Sequence, residues 1–224
     1  MHIIWSKIYR FPSCFQERTK GKPWNLFQPL DALKFTRDVF NCDYTNNITT
    51  GYLKHASRSE NQFLLKHNFR VWNSCSTLLP SSVACFMPEL MKKSCNLFPI
   101  RLIKTVRLRV RFIEELLQQP DLNLKVIVLV RDPRGVMRSR SHMNWCDQPT
   151  CANSSRVCED LDSDIENSWN LGKKKYGNRI ILIRYEDLSI QPYKTVDRLI
   201  NFLDLPPQPD FIDTYLETHT GQLR

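Results

Sequence analysis

The β-branched run from Leu124 to Val130, wholly aliphatic from Val126 onward, is followed at once by Arg131, Asp132 and Pro133. A strand that shows no polar alternation is one buried on both faces, as in a parallel sheet covered by helices. Asp132-Pro133 then reads as a helix start. The carboxylate can cap free amides, and proline suits a first turn where its missing N–H would be unpaired anyway. A helix through about Ser141 follows.

The neighbouring sequence repeats this alternation. Ile100 to Val106 is a compact strand candidate, and Val110, Ile113, Leu116 and Leu117 share one helical face before Pro120. Beyond a cysteine-bearing loop, Val157, Leu161, Ile165 and Trp169 recur every four residues and predict a long amphipathic helix that ends near Gly172 to Gly177. Arg179 to Tyr185 is a third strand. Pro192 opens a last clear helix that buries Val196, Leu199, Ile200 and Leu203 and stops at Pro206-Pro207. Strands alternating with helices imply an α/β fold with a parallel sheet covered on both faces. Upstream the signal is weaker: residues 1–23 read as an irregular N-terminal segment and Leu33 to Val39 as a short helix. Residues 41–98 read as loops and short helices held by cross-links or packing.

At 224 residues one domain is the default. Lys and Arg outnumber Asp and Glu by 32 to 23, so the surface field favours an anionic partner. No arginine-rich tract or aromatic-interleaved basic stripe is present, and Lys173 to Lys175 reads as a solvated helix end, so nucleic acid is not expected. None of the eight cysteines is spaced as a Cys-x-x-Cys pair, which argues against zinc; no metal is expected. An even cysteine count and the sequons at Asn47 and Asn153 suit a glycoprotein of an oxidising, secretory compartment. No apolar run approaches the length of a membrane span, and Met1 to Tyr9 does not read as a signal sequence.

In a parallel sheet, ligands sit where strands end and helices begin. Arg131 ends the buried strand, the following helix start is expected to offer unpaired amides and a positive dipole, and Ser139 adds a hydroxyl two turns on. An arginine fork there matches phosphate oxygens. A capped turn with a surface ion pair explains the same residues about as well.

The segment Leu129-Val-Arg-Asp-Pro-Arg-Gly-Val-Met-Arg-Ser-Arg140 resembles the 3′-phosphate-binding segment of carbohydrate sulfotransferases. It is most similar to the Golgi galactose/N-acetylglucosamine/N-acetylgalactosamine 6-O-sulfotransferases. Similar stretches follow the family's order at Leu26 to Leu30, Ile103 to Arg107, Asp121 to Val126, Val157 to Asp160 and Arg184 to Leu188. The resemblance implies a P-loop-like parallel sheet flanked by helices, and a partial sulfotransferase domain over residues 24–224. It implies that Arg131 and Ser139 bind the 3′-phosphate of 3′-phosphoadenosine-5′-phosphosulfate, and that Tyr185 touches the nucleotide. Lys104, beside Thr105, would stabilise charge on the bridging oxygen as sulfate leaves, and Arg107 would meet an acidic acceptor. Glu186 and Asp187 are assigned to structure. The implied acceptor is a glycan of a glycoprotein or proteoglycan, and the implied location is the Golgi lumen or membrane, since the family is membrane-anchored.

The chain departs from the family in two places that bear on chemistry. The early Arg-Ser/Thr-Gly-Ser-Ser loop that holds the 5′-phosphosulfate is absent, and the first strand with it is expected to be missing. Gln28 stands where the family has a glutamate suited to act as general base, and a neutral amide takes no proton at pH 7. The implied reaction is sulfuryl transfer to a sugar hydroxyl, the 6-position by family. The alternative is a catalytically inactive homologue or fragment that binds nucleotide or a partner weakly. A basic module that binds acidic glycans without a nucleotide would need only the surface charge.

Overall fold

The computed structural model describes residues 1–7, 27–62, 69–79, 81–105, 108–143 and 153–220. Two compact units divide the chain: Met1–His2, Ser13–Ile103 and Gln119–Leu122 form the first, and Ile3–Pro12, Lys104–Gln118 and Asn123–Arg224 the second.

The first unit is helical, with α1 (Phe27–Phe40), α2 (Asn47–Ala56), α3 (Phe69–Leu78) and α4 (Pro88–Asn96). Asn46 starts α2 by accepting from the amides of Ile48 and Thr49 at 3.0 and 3.1 Å, and Pro88 occupies the first turn of α4, where no N–H is needed. The core gathers Tyr44, Leu53, Ala56 and Phe86 around two disulfides, Cys42–Cys95 and Cys75–Cys85. Short helices with little apolar surface each are thus cross-linked, as the sequence of residues 41–98 leads one to expect. Arg101 ties two helix ends by donating to the carbonyls of Phe40 at 3.2 Å and Cys95 at 3.4 Å.

In the second unit β3 (Leu124–Val130) is buried along its whole length and pairs in parallel with β4 (Ile180–Arg184), Val126 opposite Ile180 and Val130 opposite Arg184. With β1 (His2–Lys7) and β2 (Arg101–Thr105) they make a four-stranded sheet in the order β2-β1-β3-β4. This corrects the reading of the first strand as missing and, within residues 1–23, the irregular reading of His2–Lys7: residues 8–23 lie outside the described residues, whereas His2–Lys7 is a strand, and it stands between β2 and β3. Its short run, broken by Ser6 and Lys7, carries too little periodicity to be called from sequence. The stretch in which the 5′-phosphosulfate loop was sought lies outside the described residues.

Lys125 is buried within β3 because its ammonium reaches the Phe202 carbonyl and the Asp204 carboxylate, both at 2.7 Å. Helix α5 (Val110–Leu117) buries Val110, Ile113, Leu116 and Leu117, the face expected from sequence. Helix α6 is Pro133–Arg140, and α7, Ser154–Leu171, is the long amphipathic helix. On α7, however, the buried residues are Val157, Asp164, Ser168 and Leu171, whereas Ile165 and Trp169 are exposed. A four-residue repeat advances about 400°, so it drifts about 40° per step and leaves the core face within two steps. Helices α8 (Tyr185–Ile190), α9 (Pro192–Phe202) and α10 (Pro209–Thr220) complete the unit. Leu199 and Leu203 are buried as expected, with Val196 and Ile200 half-buried beside them. The sequence missed α8 and α10, one turn-length and one placed just past Pro206-Pro207. No helix among the described residues is long and apolar enough to cross a membrane.

Candidate functional site

The junction of β3 and α6 is built by its own sequence. Asp132 sits at the N-cap of α6, and its carboxylate accepts from the Arg134 amide at 2.8 Å. The Arg134 guanidinium closes on the same carboxylate, Nε to Oδ1 at 3.0 Å and a terminal nitrogen to Oδ2 at 2.6 Å. These hydrogen bonds, the side-chain ones first, lower the Asp132 pKa to about 2. The Asp132 amide donates to Glu186 Oε1 at 2.9 Å, which locks the start of α6 to α8.

That arrangement corrects the expectation of unpaired amides at this helix start. Pro133 has no N–H, the Arg134 amide is spent on Asp132, and the Val136 amide bonds the Asp132 carbonyl at 3.0 Å. An internal carboxylate already answers the positive end of the helix.

What remains for an outside anion is the side chain of Arg131. It is half-buried, its guanidinium lies 4.4 Å from the centre of the Tyr185 ring, and no carboxylate pairs with it among the described residues. The ring holds the cation by its quadrupole without neutralising it. Gly135 makes room: a Cβ there would stand 3.0 Å from Arg131 Nε. Ser139, half-buried on α6, makes no side-chain hydrogen bond among the described residues. Arg131, Tyr185 and the helix that carries Ser139 therefore share one corner of the second unit.

The other expected residues are placed differently. Lys104 is exposed on β2, next to Thr105, whose hydroxyl is buried without a hydrogen-bond partner among the described residues. Gln28 lies in the first turn of α1. Arg107 lies outside the described residues. Glu186, besides holding the Asp132 amide, lies 4.0 Å from Arg184, and Asp187 lies 3.7 Å from the same arginine. No group of residues suited to a metal ion is found among those described.

Comparison with known proteins decides the family. Residues 99–222, just over half the chain, match the family described as "Sulfotransferase domain". The chain belongs to the sulfotransferase family. Carbohydrate sulfotransferases are among its curated relatives. Carbohydrate sulfotransferase 1 of Rattus norvegicus is 36% identical over 46% of this chain and 29% of its own length. Carbohydrate sulfotransferase 3 of Tetronarce californica is 31% identical over 48% of this chain and 28% of its own. Carbohydrate sulfotransferase 4 of Mus musculus is 26% identical over 84% and 55%. The chain thus spans about three tenths of the first of these relatives. Among solved structures, the "Sulfotransferase Domain from the Curacin Biosynthetic Pathway" aligns with a TM-score of 0.44 at 18% identity, over 96% of this chain and 77% of that one.

Within this sulfotransferase chain the sequence reading passed over two contributors to the corner. One is Gly135, whose signal is its place one turn after Arg131, where a side chain would crowd the arginine. The other is the partner of Glu186, a residue named from sequence only as structural: its hold on the Asp132 amide depends on a long-range approach that local pattern does not reveal. The capping carboxylate also sets a pH dependence. Because the folded pKa of Asp132 is depressed, its stabilising contribution is present above the ordinary aspartate range near 4 and is lost as pH falls toward 2. Asp132→Asn should flatten that acid-side loss in thermal melts taken across this window, and an unchanged profile would mean the cap contributes nothing.

Proposed function

We propose that this chain transfers a sulfuryl group from 3′-phosphoadenosine-5′-phosphosulfate to a hydroxyl of a sugar, the 6-hydroxyl, on a glycoprotein or proteoglycan glycan, within the Golgi. The observation that carries the reading is the Arg131 guanidinium: held against Tyr185 at the carboxyl end of a buried strand, with no carboxylate partner among the described residues. A half-buried arginine left without a counter-ion is suited to receive one, and a phosphate matches its fork. Ser139 would add a hydroxyl donor to the 3′-phosphate, and the Tyr185 ring would lie beside the nucleotide. The donor supplies the activated sulfate. Lys104 would neutralise charge on the bridging oxygen, and Arg107 would meet an acidic acceptor. Chemistry of this kind rests on positioning and charge stabilisation, by analogy with phosphoryl transfer.

The test is calorimetric titration with 3′-phosphoadenosine-5′-phosphate, followed by transfer of labelled sulfate to a sugar acceptor with the sulfated position identified. Absence of nucleotide binding would sink the proposal. Gln28 favours a second reading, an inactive homologue that binds nucleotide without transfer, because an amide cannot act as the base. Gln28→Glu should raise the rate of labelled-sulfate transfer if the lack of a base is what limits it. Binding without transfer in both forms would establish the second reading.

A further inference from the structure

We propose that Asn47 carries an N-linked oligosaccharide, joined to it before Cys42–Cys95 closes the core beneath; the proposal is independent of the nucleotide corner. Asn47, Ile48 and Thr49 form the acceptor pattern of that modification. Its asparagine stands apart from its neighbour. Asn46 is engaged at both ends of its amide: the side-chain oxygen accepts from the amides of Ile48 and Thr49 at 3.0 and 3.1 Å, and Nδ2 donates to Asp38 Oδ2 at 3.0 Å. Asn47, the first residue of α2, is exposed and makes no side-chain hydrogen bond among the described residues. Folding therefore accounts for Asn46 and leaves Asn47 unused. The pattern at Asn153 differs, because there the asparagine is itself the cap of α7 and accepts from the Arg156 amide at 3.0 Å.

The hydroxyl of the pattern is placed the opposite way. Thr49 is fully buried, and its hydroxyl donates to the Asn46 carbonyl at 3.2 Å. It shares the inward face of α2 with Leu53 and Ala56, which pack into the core with Cys42 and Tyr44. A transferase that reads the asparagine amide together with this hydroxyl finds only half of its signal once α2 has packed. Cys95 follows Cys42 by 53 residues, so a growing chain presents Thr49 before the bond can form. The donor is a polyprenyl-pyrophosphate oligosaccharide. Asn47 Nδ2 forms a bond to the anomeric carbon, the carbon–oxygen bond to pyrophosphate breaks with its electron pair leaving on that oxygen, and one Nδ2 proton passes to a base of the transferase. Since Asn47 faces solvent, the attached sugar leaves the packed side of α2 untouched.

The experiment incubates the full chain, either reduced and unfolded or oxidised and folded, with an oligosaccharyltransferase and a lipid-pyrophosphate oligosaccharide. Occupancy is read by mass spectrometry as conversion of Asn47 to aspartate by peptide N-glycosidase. The reduced chain should be modified at Asn47, with the modification kept in Thr49→Ser and lost in Thr49→Ala. The folded chain should be modified several-fold more slowly, since it must first open locally. In secretory cells, chains led in by a cleavable signal sequence and trapped with N-ethylmaleimide while Cys95 is still free should already carry the oligosaccharide. An unmodified Asn47 in the reduced chain, equal rates in the two states, or a glycan found only on chains whose Cys42–Cys95 bond has closed would each overturn the proposal.

Discussion

Arg131→Ala should lower affinity for 3′-phosphoadenosine-5′-phosphate by about 2–4 kcal/mol, roughly thirty- to several-hundred-fold, in calorimetric titration. The size follows from what surrounds the guanidinium. It is half-buried, it rests on the Tyr185 ring, and no carboxylate neutralises it among the described residues, so its charge is directed to a ligand rather than spent internally. The helix start offers little replacement, because Asp132 already holds the Arg134 amide and Pro133 has none. Arg131→Lys should recover only part of the loss, since an ammonium lacks the planar fork. Ser139→Ala should cost less, as a neutral donor is worth about 1 kcal/mol. Unchanged affinity in both alanine variants would end the assignment of this corner to the nucleotide.

The largest effect on stability is expected where the start of α5 meets α7. Asp164, 1% exposed on α7, accepts from Arg109 Nε at 3.1 Å and from the Val110 amide at 3.0 Å, and so caps α5 from another helix. Arg109 also bridges to the carboxylate and the carbonyl of Asp160. Removal of the arginine alone leaves a buried carboxylate uncompensated, so Arg109→Met should destabilise the fold by about 3–5 kcal/mol in denaturant titration. The pH dependence identifies the cause. Burial already raises the Asp164 pKa, against the pull of Arg109, so its effect on stability becomes adverse as pH rises from the ordinary aspartate range through the folded pKa. Loss of Arg109 moves that pKa further up, and the defect should shrink as pH is lowered toward the range where Asp164 takes a proton. A defect below about 1 kcal/mol, or one that does not vary with pH, would mean that Asp164 is not the group left unpaired.

The part of the fold legible in sequence is the part whose periodicity is local and strong. β3 runs from Leu124 to Val130 as expected, because an aliphatic, β-branched run has no other low-energy place than the middle of a covered sheet. The start of α6 is equally legible from Asp132-Pro133. α7 was legible as a helix and misread as to its face, because real burial at Asp164 and Ser168 is bought by hydrogen bonds rather than by hydrophobicity. β1 carries too short a pattern to be called, and α8 is scarcely more than a turn. At the candidate site, the sequence pointed to Arg131 and Tyr185 separately. Their approach to 4.4 Å depends on parallel pairing of β3 with β4, which brings Val130 opposite Arg184 and so the two following residues side by side. The surplus of helix amides expected from Pro133 to Val136 is reduced for a local reason: the aspartate that starts the helix takes the Arg134 amide with its carboxylate and the Val136 amide with its carbonyl.

Both cross-links among the described residues fall within the first unit, whereas β3, β4 and the helices around them are held by aliphatic packing and by ionic caps. The first unit therefore depends on electron acceptors that close Cys42–Cys95 and Cys75–Cys85, so its yield is tied to the redox history of the folding polypeptide.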